Sequence, residues 1–167
     1  YDLSVINSHA LAGAAVLLTE KTVFDREFWE FASAEKATSL AGVPYTYEML
    51  KKLKFIEMEL PNLKTMTQAG GKLSVSLHRE FAEYAAGHGK RFIVMYGQTE
   101  ATARMGYLPA GEALNRCGSM GIVIPGGKFR LTGEDGREIK EAGTTGELVY
   151  EGKNVMLGYA KNRSDLS

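Results

Sequence analysis

Three short apolar runs, TSLAGV, KTMTQA and RFIVMY, lie between residues 38 and 96, and segments of helical spacing separate them. Strands divided by helices of about 10–15 residues cannot close tight hairpins, so they build βαβ units and a parallel sheet. A fourth apolar run, AAVLL, follows the helix-like LSVINSHALAGA and is expected as a further strand. The fold class expected for this stretch is α/β, a mostly parallel sheet with flanking helices.

Local signals set the expected boundaries. Asp25 is placed to cap REFWEFASAEK, because a carboxylate accepts from the free amides of a first turn. Pro44 ends one strand and opens YTYEMLKKL, with its φ already helical. Ser74 caps SLHREFAEYAAGHG, whose apolar face carries Leu77, Phe81, Tyr84 and Ala85, and Gly87 or Gly89 stops it. From Gly111 onward glycines multiply and short strands appear: GIVI, KFRLT, REIK and GELVYEG. An Asp-Gly hairpin signal sits between KFRLT and REIK. The expected division is an α/β subdomain over 1–110 and a small β-rich partial barrel over 111–167, incomplete at its C-terminal end.

Equal numbers of basic and acidic residues, 20 each, give no electrostatic reason for nucleic acid or an anionic membrane as partner. No segment reaches the roughly 20 apolar residues of a membrane span. The single cysteine, Cys117, allows no internal disulfide, and a reducing, cytoplasmic setting is expected. The opening YDLSV and closing NRSDLS read as cut ends of a longer chain.

Parallel sheets bind ligands at the carboxyl ends of their strands. Here those ends read GVP, QAGGK and YGQTE. Glycines admit a ligand to the backbone. Tyr96 offers a ring to stack on a base, Thr99 a hydroxyl for a phosphate oxygen, and Glu100 a hard oxygen for Mg²⁺. The same residues serve a plain turn and a plain strand terminator equally well, and composition does not name the ligand.

The motifs resemble those of the adenylate-forming enzymes: acyl-CoA synthetases, peptide-synthetase adenylation domains and luciferases. YGQTE resembles their Tyr-Gly-x-Thr-Glu core, YDLSVINSHALAGA their Phe-Asp-x-Ser segment, and QAGGKLS their Gly-Gly-x-x-Leu adenine loop. GSMG followed by IPG, and GELVYEGKNVMLGY, match later elements in the same order, with a flavour closest to the acyl-CoA synthetase and AMP-acid ligase branch. The resemblance implies a segment of an ATP-dependent ligase that makes an acyl-adenylate and passes the acyl group to CoA or a pantetheine thiol. It implies that Ala69, Gly70 and Gly71 line the adenine and that Tyr96 stacks on it, with Gly97 and Gln98 continuing the nucleotide contact. Thr99 would hold phosphoryl oxygens and Glu100 would coordinate Mg²⁺, the two catalytic residues of the segment. Asp2, Leu3, Ile6, Pro44, Met95, Ala103 and Arg104 would fall near the pocket of a small carboxylic acid. Ala69 stands where the family commonly has glycine, which is tolerated if its φ is not positive.

The family's Ser/Thr/Gly-rich loop with its lysine, its Thr-Gly-Asp motif and its C-terminal domain find no match here, so the missing parts of the same chain are expected partners and the segment alone is expected to be inert. Asp2 reads either as a partner for a substrate ammonium, as in amino-acid adenylation domains, or as a residue of a helical first turn. Arg104, four residues after Glu100, is expected to share a helix face and pair with it. His9 is expected to be packed, His78 and His88 to face solvent, and Cys117 to be a small packed residue at the junction. An amino-acid adenylation domain and a non-catalytic nucleotide-binding module are the alternative functions.

Overall fold

Thr46 Oγ1 accepts the Val43 amide at 3.3 Å, and Pro44 follows with its preset φ, so strand β1 (Ser39–Gly42) turns at once into helix α3 (Pro44–Lys52). This computed structural model describes residues 2–166, the side chains of Asp2 and Leu166 excepted. Helices α1 (Asp2–Leu11) and α2 (Arg26–Ala34) precede β1. After α3 come β2 (Thr65–Gln68), α4 (Val75–Gly87) and β3 (Arg91–Tyr96). Ser74 caps α4 as expected, its hydroxyl accepting from Leu77 N at 3.3 Å.

Strands β1, β2 and β3 pair in parallel, in that order. Strands β4 (Gly106–Leu108) and β5 (Ile122–Val123) then extend the sheet antiparallel. A second sheet, in the order β7-β6-β8, joins β6 (Lys128–Thr132), β7 (Glu138–Ile139) and β8 (Glu147–Glu151), all antiparallel. The Asp-Gly signal holds: Gly133 and Arg137 close the β6–β7 loop at 2.9 Å, with Gly136 at φ +75°. This lobe is a three-stranded sheet and not a closed barrel.

The core lies between α3, α4 and the parallel strands. Tyr47, Phe55, Phe81 and Phe92 are fully buried or nearly so. The Tyr47 ring meets Phe81 edge-on at 4.8 Å and Phe92 at 5.4 Å. The one polar atom of that ring is satisfied, because Tyr47 OH donates to the Thr67 carbonyl at 2.8 Å.

Four local expectations are corrected. Residues 14–18, AAVLL, form no strand, and Leu18 is 76% exposed; an apolar run needs a neighbouring strand to become one, and none of the described strands runs beside it. Asp25 stands at the N-cap of α2 without capping it. Its Oδ2 instead accepts from Thr22 N at 2.7 Å and Thr22 Oγ1 at 2.8 Å, two donors that outcompete the helix amides and hold its carboxyl below the usual range. GIVI belongs to the first sheet, through β5, and not to the β-rich lobe. His78 is 1% exposed and not solvent-facing, because it shares the buried face of α4 with Phe81, Ala82 and Ala85.

Truncation should separate core from surface. Phe81→Ala removes a fully buried ring and is expected to cost about 3–5 kcal/mol. Phe24→Ala, at a position 54% exposed, should cost under about 1 kcal/mol. Urea unfolding of both variants checks the difference, and equal losses would show that the core is elsewhere.

Candidate functional site

Parallel pairing places Gly42 opposite Gln68 and Gln68 opposite Val94, so three strand ends finish side by side. The loops that follow, with Gly118–Met120 from the junction, enclose a cavity of about 340 Å³. Gly70, Gly71, Met95, Tyr96 and Gly97 all line it. The expected adenine loop and the Tyr-Gly pair therefore do converge.

The glycines have packing reasons of their own. A Cβ on Gly70, which stands at φ +78°, would lie 3.0 Å from Val43 Cγ1. Ala69 is not among the positive-φ residues, so alanine is accommodated there. Gly97 is obligatory, because a Cβ would sit 2.1 Å from the Ala103 carbonyl oxygen. The chain reverses sharply beyond it. Thr99–Ala101 form a single 3₁₀ turn, then Thr102 and Ala103 stand at φ +52° and +66°. The expected helix through Glu100 and Arg104 is therefore absent, and the two do not share a face.

Asn154, on the loop after β8, clamps this turn. Its Nδ2 donates to the Ala101 carbonyl at 2.6 Å and the Arg104 carbonyl at 3.0 Å, and Tyr150 OH donates to its Oδ1 at 2.7 Å. Its own carbonyl accepts from Thr102 Oγ1 at 2.8 Å. Met156 N adds a bond to the Glu100 carbonyl, also at 2.8 Å. Gln98, Thr99 and Glu100 are left exposed on a backbone held from behind.

Glu100 finds its partner in Tyr159, not Arg104. The Tyr159 hydroxyl donates to Glu100 Oε1 at 2.7 Å. That bond, followed by one from the Glu100 backbone, holds the carboxyl below its usual range; the same bond pushes the Tyr159 phenol up. The contact is stabilising above the unfolded carboxylate's pKa and is lost as pH falls through the depressed folded value. On the alkaline side it persists until pH rises through the raised value of Tyr159.

Not every expected residue reaches the cavity. Leu3 and Ile6 sit on the exposed side of α1, 74% and 39% exposed, while Val5 and His9 of that helix line a larger apolar cavity of about 570 Å³ with Trp29 and Leu40. His9 is tied by Nδ1 to the Val5 carbonyl and by Nε2 to Ser39 Oγ. Tyr96 lines the smaller cavity and not the larger one, and Glu100 lines neither. Pro44 touches the site through the missing Cβ of Gly71, and Ala103 and Arg104 belong to the reversing turn. The side chain of Asp2 lies outside the described residues.

Four residues at or behind the site had no site role in the motif reading: Gln68, Asn154 and Tyr159, which lie inside the matched segments, and His78, expected at the surface. Gln68 and His78 carried a usable signal, because Gln68 alternates with buried Met66 and His78 keeps helical spacing with Phe81 and Ala85. Asn154 meets its carbonyls across 53 and 50 residues, a contact no local pattern announces.

The profile of the AMP-binding enzymes matches residues 1–160. The chain belongs to the AMP-binding enzyme family. It is 30% identical over 149 residues to an indoleacetate–CoA ligase of Aromatoleum aromaticum, covering 89% of this chain and 28% of that protein. It is 30% identical over 148 residues to a luciferin 4-monooxygenase of Luciola mingrelica, covering 84% of this chain and 25% of that one. The chain thus spans about a quarter of these relatives of the AMP-binding family. Its fold matches o-succinylbenzoate CoA synthetase from Bacillus subtilis, solved with an acyl-adenylate, at a TM-score of 0.79 and 21% identity over 97% of this chain and 32% of that one.

The described residues contain no cluster of three or more His, Cys, Asp or Glu. Glu100 is a lone, ionised, exposed carboxylate, which fits a Mg²⁺ ion held by one carboxylate and completed by phosphate oxygens.

Two variants test the clamp. Tyr159→Phe should let the Glu100 carboxyl titrate closer to an ordinary glutamate, which carboxyl NMR reads directly. Asn154→Ala strips the turn's carbonyls of their shared donor and should destabilise it by about 1–3 kcal/mol, with faster amide exchange at Ala101 and Ala103.

Proposed function

We propose that residues 1–167 form the base-binding and metal-binding segment of a longer ATP-dependent, AMP-forming acid–thiol ligase. The observation that carries it is the convergence of Gly70, Gly71 and Tyr96 on one cavity, with Thr99 and Glu100 exposed on the turn that follows Tyr96 in the chain. The indoleacetate–CoA ligase relative supports the ligase class. The substrate is a small carboxylic acid, and the acyl acceptor is CoA or a pantetheine thiol. Residues 1–110 carry most of the site, Gly118–Met120 complete its cavity and the rest of 111–167 braces it, in a reducing cytoplasmic setting.

In this reading a substrate carboxylate attacks the α-phosphorus of ATP, pyrophosphate leaves, and a thiol later displaces AMP from the acyl-adenylate. The Gly70–Gly71 backbone and the Tyr96 ring hold the base. The Thr99 hydroxyl donates to a phosphate oxygen, and Glu100 presents its charge to Mg²⁺. When bound, that ion neutralises phosphate charge. The chain contributes positioning and electrostatics, which dominate this class of chemistry.

Two substitutions in the full-length ligase separate the roles. Glu100→Gln keeps shape and removes charge, so adenylation should fall by a factor on the order of 10²–10³ with folding intact. Tyr96→Ala should raise the KM for ATP with a smaller effect on kcat, because stacking acts equally on ground and transition states. Pyrophosphate release over a range of ATP and Mg²⁺ concentrations measures both, and near-normal turnover in Glu100→Gln would remove the metal role.

A further inference from the structure

The loop after β8 touches the reversing turn at three residues of its own. Asn154 holds the Ala101 and Arg104 carbonyls, Met156 N donates to the Glu100 carbonyl at 2.8 Å, and Tyr159 OH donates to Glu100 Oε1 at 2.7 Å. The first two fix backbone. The third fixes only a carboxylate, 59 residues away along the chain. Burial does not account for Tyr159: at 66% exposure its ring adds little to any core, which leaves the hydroxyl as the group that acts.

The chemistry of the donor narrows its role. A lysine or arginine beside Glu100 would hold the carboxylate equally well and cancel its charge. Among the described residues no basic side chain pairs with Glu100. A phenol donates one hydrogen bond and stays neutral, so the full negative charge and the second oxygen, Oε2, are kept. An exposed glutamate otherwise spreads over many rotamers. A cation held by one carboxylate then has to collect that side chain from all of them.

We propose that Tyr159 is a positioning residue for a divalent cation: its hydroxyl holds the Glu100 carboxylate in one orientation and leaves the charge and the second oxygen to the ion. This rests on the metal role of Glu100 proposed above and adds the part that the β-rich lobe plays in it. Tyr159 touches neither ion nor nucleotide. Its effect passes through Glu100 alone, and that separates it from a residue that simply stabilises the loop.

The test uses the full-length ligase saturated with an ATP analogue carrying a methylene between the α- and β-phosphorus, which cannot release pyrophosphate. Mn²⁺ is the probe, and its unbound fraction is read by electron paramagnetic resonance. Tyr159→Phe keeps the ring and removes the donor. It should raise the Mn²⁺ dissociation constant about 3–10-fold and leave the metal-free affinity for the analogue unchanged. Glu100→Ala should weaken Mn²⁺ binding further, and in that background Tyr159→Phe should add nothing, because the group it positions is gone. An equal loss in both backgrounds would make Tyr159 a loop support and overturn the inference. So would unchanged or tighter Mn²⁺ binding in Tyr159→Phe, the latter showing that the hydroxyl competes with the ion. If Tyr159→Phe alone is silent, the metal role of Glu100 still stands; if Glu100→Ala binds Mn²⁺ normally, that role falls and this inference falls with it.

Discussion

The edge-on packing of Tyr47, Phe81 and Phe92 decides where the strands end. Tyr47 belongs to α3, Phe81 to α4 and Phe92 to β3, so one aromatic contact locks two crossover helices to the sheet. The bond from Tyr47 OH to Thr67 carries the same restraint into β2. Because a register slip in a parallel strand would turn Met66 and Gln68 out of this core, the pairing of Gly42, Gln68 and Val94 is strongly specified. The cavity at the strand ends follows from that alignment.

The second sheet supplies what the first cannot. The reversing turn after Gly97 holds two non-glycine residues at positive φ, each carrying about 1 kcal/mol of strain. Asn154 offsets it by satisfying the Ala101 and Arg104 carbonyls of that turn. Tyr159 and Met156 hold Glu100 by side chain and backbone. Gln98, Thr99 and Glu100 are thus exposed on a backbone bonded to the lobe behind it.

The site has two kinds of residue with different exposures. Gln98, Thr99 and Glu100 face solvent, while Gln68 and His78 are buried at the cavity's inner wall.

Much of this was legible along the chain. Strand and helix alternation gave the parallel core, Pro44 and Ser74 marked helix starts, and QAGGK and YGQTE marked the strand ends that meet, because each of these signals acts over a few residues. Where a neighbour decides, local pattern misled. AAVLL is apolar enough for a strand but lacks a paired edge, Ile122–Val123 joined the nearer sheet, and Asp25 chose Thr22 over its helix. The partner of Glu100 and the clamp on its turn come from residues more than 49 positions away, since the chain must fold back before Tyr159 and Asn154 exist as neighbours. The sequence by itself determined the periodicity, the breaks and the chemical groups on offer. Only the tertiary structure decided which of those groups meet and which are left unpaired in the interior, because those neighbours are far apart along the chain.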